Sequence, residues 1–452
     1  MACEFDAPEG VTSHVLANAQ LPTLPPGQYT ILAAFVLACP RRRVLKIIAR
    51  ATGAKCLPAA RIPPAGDALH DSHAEILARR AAVRWFYEEI GRDVAGERST
   101  WLRRGEGAGT GEGDGGRYEL EEGVRLHLYV STPPCGDAST RFLASSQDPA
   151  IALLKDGSPL SPLSPPSPNV PLLLGTAPAP ALALARGRDG YALYGVLRTK
   201  PGRADSPRTE CMSCADKIAL WAVCGVQGAL LAAVLKPVWI ASVTIGEVGD
   251  ADREVVREDC ERAFGGRVRG VRDLPVGYAL HEPAIHFTAL PFASARTSVL
   301  VAHPGCTPKS SNESLAWHAD SASPPDVLIN GRKRGVAPKH AHNARFWPQH
   351  AKISLFTLHL RTLSALNLHV DLPPGATYHA HKHPAPNSSS SSGSSSGAAA
   401  YQQAKVALLG PRAGAPFAGW LRGGGRGEGF DCAGTVLAVG AEEVEGQEVQ
   451  ES

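Results

Sequence analysis

Residues 69–90 read LHDSHAEILARRAAVRWFYEEI. Projected as a helix from near Ser72 at about 100° per residue, Ile76, Val83, Tyr87 and Ile90 fall within about 60° of one another and predict one buried face. Arg80 projects close to the middle of that stripe and Arg79 onto its edge. Arginine is almost never fully buried without a partner, so an anionic group is expected to meet these two. His73 and Glu75 open the same stretch, about 200° apart on an ideal helix. They can converge only if His73 lies at the very first turn, not yet fully helical.

Working outward, the chain has 452 residues and 44% hydrophobic content. That is enough for a large core in one big domain or two ordinary ones. A formal charge of +3 permits nucleic-acid binding but does not argue for it. The N-terminal MACEFDAPEGVTSHVLANA carries acidic residues and lacks the basic-then-apolar pattern of a secretory signal. Ten cysteines without a regular framework then read as thiols or metal ligands, and the expected location is intracellular, nuclear or cytoplasmic. Residues 218–235, IALWAVCGVQGALLAAVL, have Gln227 as their one clearly polar side chain, so a membrane span is the formal alternative. The run is Ala- and Gly-rich, and Asp216 and Lys217 precede it inside a cysteine motif, which favours a core helix and no membrane.

Three stretches read as low-complexity insertions: 103–117 (Gly-rich and charged), 155–180 (Pro, Ser and Leu) and 384–400 (Ser-rich). Such compositions cannot bury enough side chain to offset their conformational entropy, and mobility is expected. The remainder alternates strand and helix patterns, predicting an α/β fold with one domain over 1–452. TILAAFVLACP (30–40) reads as a helix, as do VRWFYEEI, AKISLFTLHLRTL and YQQAKVALLG. VRLHLYVST (124–132), VWIASVTIGE (238–247) and VLING (327–331) read as strands.

The chemically suggestive residues sit where elements start or stop. His73 opens a helix, Cys135 follows a strand through Pro133-Pro134, and Cys214 opens the long apolar run. Helix N-termini gather free N–H groups and positive potential, which favour thiolates. One histidine and two cysteines suit Zn²⁺ with a fourth position left for water, and Glu75 could then move that water's proton. A closed Cys₃His structural site that adds Cys211 is the competing reading, and spacing leaves both open.

The combination resembles a known family. HAE at 73–75 and Pro134-Cys135 match half of the nucleobase-deaminase signature, but Ala138 stands where its second cysteine falls. With GAKC (53–56), DSHAEILARR (71–80), PPCGDAS (133–139), LRTKPGR (197–203) and MSCADKIALWAVCGVQG (212–228), the chain resembles the adenosine-to-inosine RNA deaminases from about residue 50 to about 420. The resemblance implies a zinc deaminase domain with a cytidine-deaminase-like core, a central mixed sheet flanked by helices. Its extended C-terminal half would enclose an inositol hexakisphosphate. It implies zinc on His73, Cys135 and Cys214, Glu75 as proton shuttle, and Lys55 near the substrate. Arg79, Arg80, Lys217, Lys352, Tyr401, Lys405 and Trp420 match contacts to the polyphosphate, as do Tyr378 and Lys382 through their Y-x-x-x-K spacing. Asp71, Lys200 and Lys217 match a polar relay between that cofactor and the zinc cysteine. Where relatives commonly supply polar contacts, this chain has His70, Cys211, Leu220 and Ala229, and Ser139 replaces a basic residue of some editors.

Within the family, two features favour the tRNA-specific branch. Only 54 residues precede Lys55, read as helix and loop of the catalytic domain, and Pro201, Gly202 and Arg203 resemble the tRNA-specific loop. The implied substrate is the adenosine 3′ of the anticodon in alanine tRNA, with no protein partner evident. The alternatives are an editor of double-stranded RNA and a non-catalytic zinc RNA-binding protein.

Overall fold

Eight strands form the central sheet of the computed structural model, which describes residues 7–437 except 22, 106–115, 146–183, 188–192, 201–205, 369–371, 374, 385–393, 411–414 and 422–426. From one edge to the other the order is Ala284–Phe287, Ile240–Ile245, Arg125–Val130, Leu32–Cys39, Val44–Thr52, Glu313–His318, Asp326–Ile329 and Arg332–Lys333. The first three strands run parallel and the other pairings are antiparallel, so the sheet is mixed, as expected.

The stretch 30–40 corrects the sequence reading: it is not a helix but the strand Leu32–Cys39, and all eight of its residues are buried. Ala33, Phe35 and Leu37 face the main core with the Ala74–Val94 helix, while Leu32, Ala34 and Val36 face Val11 and Val15 of the Pro8–Ala17 helix. A strand covered on both faces loses its alternation and becomes indistinguishable from a buried helix by pattern alone. The same error made the N-terminal 54 residues look like helix and loop, whereas they carry two central strands. The strands expected at 124–132, 238–247 and 327–331 are present as Arg125–Val130, Ile240–Ile245 and Asp326–Ile329.

The Ala74–Val94 helix begins two residues later than projected and lies across the strands Val44–Thr52 and Glu313–His318. Trp85, Phe86 and Ile90 are fully buried on it, each contributing about 1.5–3 kcal/mol. The apolar run after Cys214 is a helix to Cys224, turns at Gly225 with φ 74°, and resumes at Gly228–Ala232. Among the described residues, Cys214–Ala232 is the one helical run long and apolar enough to cross a membrane, and 83% of that window is buried inside the protein.

Of the three insertions, 155–180 lies outside the described residues. The ends of the other two are ordered. Leu102–Arg104 pairs with Tyr118–Leu120, and the Ser394–Leu409 helix takes in the end of the Ser-rich tract. Tertiary packing supplies this order, since Gly397 and Ala398 are buried beneath the helix Gly228–Ala232.

Candidate active site and enclosed cavity

The strand Asp71–His73 pairs antiparallel with Ala54–Cys56, setting Lys55 opposite Ser72. His73 keeps extended backbone (φ −70°, ψ 144°) and caps the helix that starts at Ala74. This is the arrangement the HxE spacing requires, because only a non-helical His73 lets Glu75 share its side. Glu75 is 2% exposed, and its Oε2 has no hydrogen-bond partner among the described residues. Burial, then the nearby Cys135 sulfur, raises the Glu75 carboxyl above its ordinary pKa.

Cys135 leaves the central strand Arg125–Val130 through the Pro133-Pro134 turn. The following Gly136 has φ 110° and sits so close to Ser213 that a Cβ would lie 2.2 Å from its hydroxyl. That contact brings Cys135 against the start of the Cys214–Cys224 helix, where the backbone N–H of Cys214 donates to the Cys135 sulfur at 3.4 Å. Ser213 caps that helix by accepting from Asp216 N at 3.1 Å. The Cys214 thiol, then Lys200 and His73, hold Cys135 well below the usual thiol range. Burial lowers His73, but Asp71 and the Cys135 sulfur outweigh it and bring its pKa up to about 9.

Asp71 connects this cluster to the interior. It accepts from Lys200 at 2.8 Å and Lys217 at 2.6 Å, and its other oxygen meets His73 Nδ1 at 2.9 Å. Burial opposes ionisation, yet the two ammonium groups pull the carboxyl well below its usual range. Lys200 also donates to Cys214 Sγ at 3.2 Å. Cys211 lies instead beside Cys56 and Asp71, the three ligand atoms falling within 4.8 Å of one another. A second cation is disfavoured there, because Asp71 already neutralises two lysines.

On the far side of Asp71 lies a cavity of about 320 Å³. Arg79, Arg80, Lys217, Lys352, Tyr378, Lys382, Tyr401, Lys405 and Trp420 all line it. The structure thus brings together nine side chains drawn from more than 340 residues of sequence. Six are cationic, against Asp71 and Glu210 in the same wall. Arg79 and Arg80 each spend Nε on a backbone carbonyl, of Val226 and His350 respectively, both at 2.6 Å. They retain some exposed surface although protein surrounds them, because that surface faces the cavity. Burial lowers Arg80 to about 10, and burial with Lys382 and Arg80 lowers Lys352 to about 8 despite Glu428. Burial weakens Arg79 as it does Arg80 and Lys352, whereas Lys217 and Lys382 are raised despite burial, by Asp71 and by Tyr378 and Glu428 respectively.

His70, Cys211, Leu220 and Ala229, the departures from the family pattern, line the same cavity. His70 Nε2 is buried without a hydrogen-bond partner among the described residues. The sequence reading missed Glu428, which accepts from both Lys352 and Lys382 and follows a Gly-rich stretch with no motif to mark it. Lys55 is exposed, midway along the strand Ala54–Cys56. Ser139 is buried below Gly136 and accompanies the turn. Pro201, Gly202 and Arg203 lie outside the described residues.

The chain is similar to known proteins. The family description "Adenosine-deaminase (editase) domain" matches residues 49–392. The chain is 30% identical over 327 residues to tRNA-specific adenosine deaminase 1 of Schizosaccharomyces pombe, covering 70% of this chain and 74% of that protein. It is 28% identical to the mouse protein of the same name, over 88% of this chain and 93% of the relative. It is also 29% identical to the Drosophila melanogaster double-stranded RNA-specific editase Adar, over 53% of this chain but 32% of that longer protein.

Proposed function

This chain belongs to the adenosine-deaminase (editase) domain family, and from that premise we propose that it deaminates adenosine to inosine in tRNA. The adenosine 3′ of the anticodon in alanine tRNA is the proposed target. It is already unpaired in its loop and costs little to bring into a pocket. The observation that carries the reading is the convergence of His73, Glu75, Cys135 and Cys214 at two helix N-termini, with the acid buried and its Oε2 unpartnered.

The donor set fits zinc in its chemistry: one imidazole in contact with the Cys135 sulfur, the Cys214 sulfur beside Cys135, and a carboxylate free to act on water. His73, Cys135 and Cys214 would hold the ion, which would supply a water of lowered pKa. Glu75 would take a proton from the attacking water and pass it to the purine ring nitrogen as the oxygen adds at C6. A second transfer through Glu75, from the new C6 hydroxyl to the amine, would release ammonia, so that adenosine and water become inosine and ammonia. Asp71 orients the His73 ring, and Lys200 supports the Cys214 sulfur.

We further assign the cavity to inositol hexakisphosphate, held by the nine lining residues. A polyanion there would supply the counter-charge that Arg79 and Arg80 lack among the described residues. Duplex RNA is a second substrate class to test, given the editase similarity. Mass spectrometry of nucleosides from tRNA incubated with the protein should find inosine, and its absence from every tRNA and duplex substrate would refute the assignment.

Two further outcomes follow. Cys214→Ser should lose zinc while Cys211→Ser keeps it, as read by metal content per chain. Equal loss from both would revive the four-ligand structural site. Lys352 gives a pH dependence. With protein groups alone around it, its folded pKa is about 8, below the unfolded 10.5. A depressed lysine makes the fold gain stability as pH rises from about 8 towards the unfolded value, whereas a bound polyanion restores the pKa and removes that gain. The stabilisation conferred by added hexakisphosphate, read as a Tm difference, should therefore shrink between pH 8 and pH 10.

A further inference from the structure

We propose that the loop formed by residues 331–347 is a docking surface for the phosphate backbone of the RNA substrate, separate from the pocket that takes the reacting base. The inference rests on reading this chain as an RNA deaminase and adds where the rest of the RNA lies.

The first observation is compositional. Residues 327–370 contain no Asp or Glu, in a chain with 43 acidic residues in 452, where a stretch of that length would carry about four. Taken alone, such a run is an ordinary solvated face. The structure sorts its cations into two groups. Lys352 turns inward to the cavity, and Arg332, Lys333 and Arg334 are each neutralised by a carboxylate from another element: Asp67 at 3.1 Å, Asp326 at 3.3 Å and Glu313 at 3.0 Å. Lys339 and Arg345 of the loop, together with Arg361 on the Lys352–Ala365 helix, are exposed and have no carboxylate partner among the described residues.

The second observation is how the loop is held. Asp67, 1% exposed, is gripped from two points of the loop, by Arg332 at its start and by His342 Nδ1 at 2.7 Å. Arg332 also donates to the Ala341 carbonyl at 2.9 Å, and Trp347 Nε1 donates to the His342 carbonyl at 3.2 Å. The loop is thus closed on a buried carboxylate, with Lys339 and Arg345 three residues to either side of the His342 anchor. The Arg345 guanidinium lies 5.9 Å from the Phe346 ring centre, and the His340 ring packs 6.0 Å from the same ring. A loop held in this way has less conformational entropy to lose when its charges meet a phosphate than lysines on a free tail have.

The third observation is position. Leu69 N donates to the Gly331 carbonyl at 2.9 Å, and Gly331 has φ 72° with no room for a Cβ, which would fall 2.1 Å from the Leu69 carbonyl. Leu69 stands four residues before His73, about 13 Å at strand rise. A tRNA with one base beside Glu75 is far larger than that distance, so its backbone can reach the loop. Outward cations without counter-ions, interleaved with aromatic and imidazole rings, suit a polyanion and no base in particular.

The test is steady-state deamination of full-length tRNA by the zinc-loaded chain carrying Lys339→Glu and Arg345→Glu together, with Lys339→Gln/Arg345→Gln as a milder pair. Losing two phosphate contacts should raise KM roughly tenfold or more near physiological salt, with kcat within about twofold. The slope of log KM against log salt should fall by about one per residue removed. An unchanged melting temperature shows that the fold is intact, and if the glutamate pair fails to fold, the glutamine pair carries the same test at smaller amplitude. Wild-type KM and salt slope in a folded variant would overturn the docking surface and leave the deaminase assignment standing. A fall in kcat at constant KM would overturn it too. Wild-type protein that makes no inosine in any RNA would instead remove the functional reading on which the inference stands.

Discussion

Glu75→Gln is expected to lower inosine formation by about 10²- to 10⁴-fold while the protein keeps its metal and its fold. Gln is isosteric and can still hydrogen-bond water, but it cannot accept and return a proton. Metal content should not change, because Glu75 lies beside the proposed ligands without being one. Stability should hold or rise. The Glu75 carboxyl is raised by burial, so its folded pKa lies above its unfolded value. A group of that kind contributes stability at low pH and loses it as pH rises from its unfolded pKa through its folded one. Gln, which does not titrate, is free of that loss. The pairing of lost turnover with undiminished Tm and zinc separates a proton shuttle from a structural acid, and full activity in the variant would end the proposed mechanism.

Arg80→Ala should have the largest effect on stability. The native protein is expected to release inositol hexakisphosphate on denaturation, measured as phosphate per chain. Taking away one partner of a buried, hydrogen-bonded charge cluster costs about 3–5 kcal/mol, because the remaining charges lose their compensation. That is a large part of the 5–15 kcal/mol or so that keeps a typical domain folded. Arg80 would be lost from the middle of the cavity wall together with its bond to the His350 carbonyl. Soluble yield should collapse, or the denaturation midpoint should fall steeply, and the variant should carry less phosphate. A variant that matches the parent in midpoint and contains no less bound phosphate would remove the polyanion from the account of these arginines.

Much of the site was legible in the sequence. HAE at a helix start, a cysteine after Pro-Pro and a cysteine before an apolar run each mark an element boundary, and boundaries carry local signals. The inward arginines were legible for a different reason, since a charge on an apolar stripe violates the helical pattern and therefore asks for a partner. Less local features were not. Leu32–Cys39 was misread because two layers cover it, and a residue's own period cannot report how many faces are buried. Glu428 went unseen because nothing near it in sequence announces that it meets Lys352 and Lys382. The roles of Arg332 and His342 were equally silent, because their shared partner Asp67 is more than 260 residues away.

By itself, the sequence determined the chemistry available to this protein: one imidazole, two thiols and one acid at helix starts, and an excess of cations on faces that should be apolar. Those facts depend on short-range spacing, and backbone geometry converts spacing into direction within a turn or two. Only the tertiary structure decided that the cations from both halves of the chain surround one cavity, that Asp71 links it to His73 and Cys214 through Lys200, and that Lys339 and Arg345 of the 331–347 loop remain for solvent. Such choices depend on which distant segments share a volume. That is settled by packing and by the cost of leaving buried charge unpaired, neither of which any local pattern encodes.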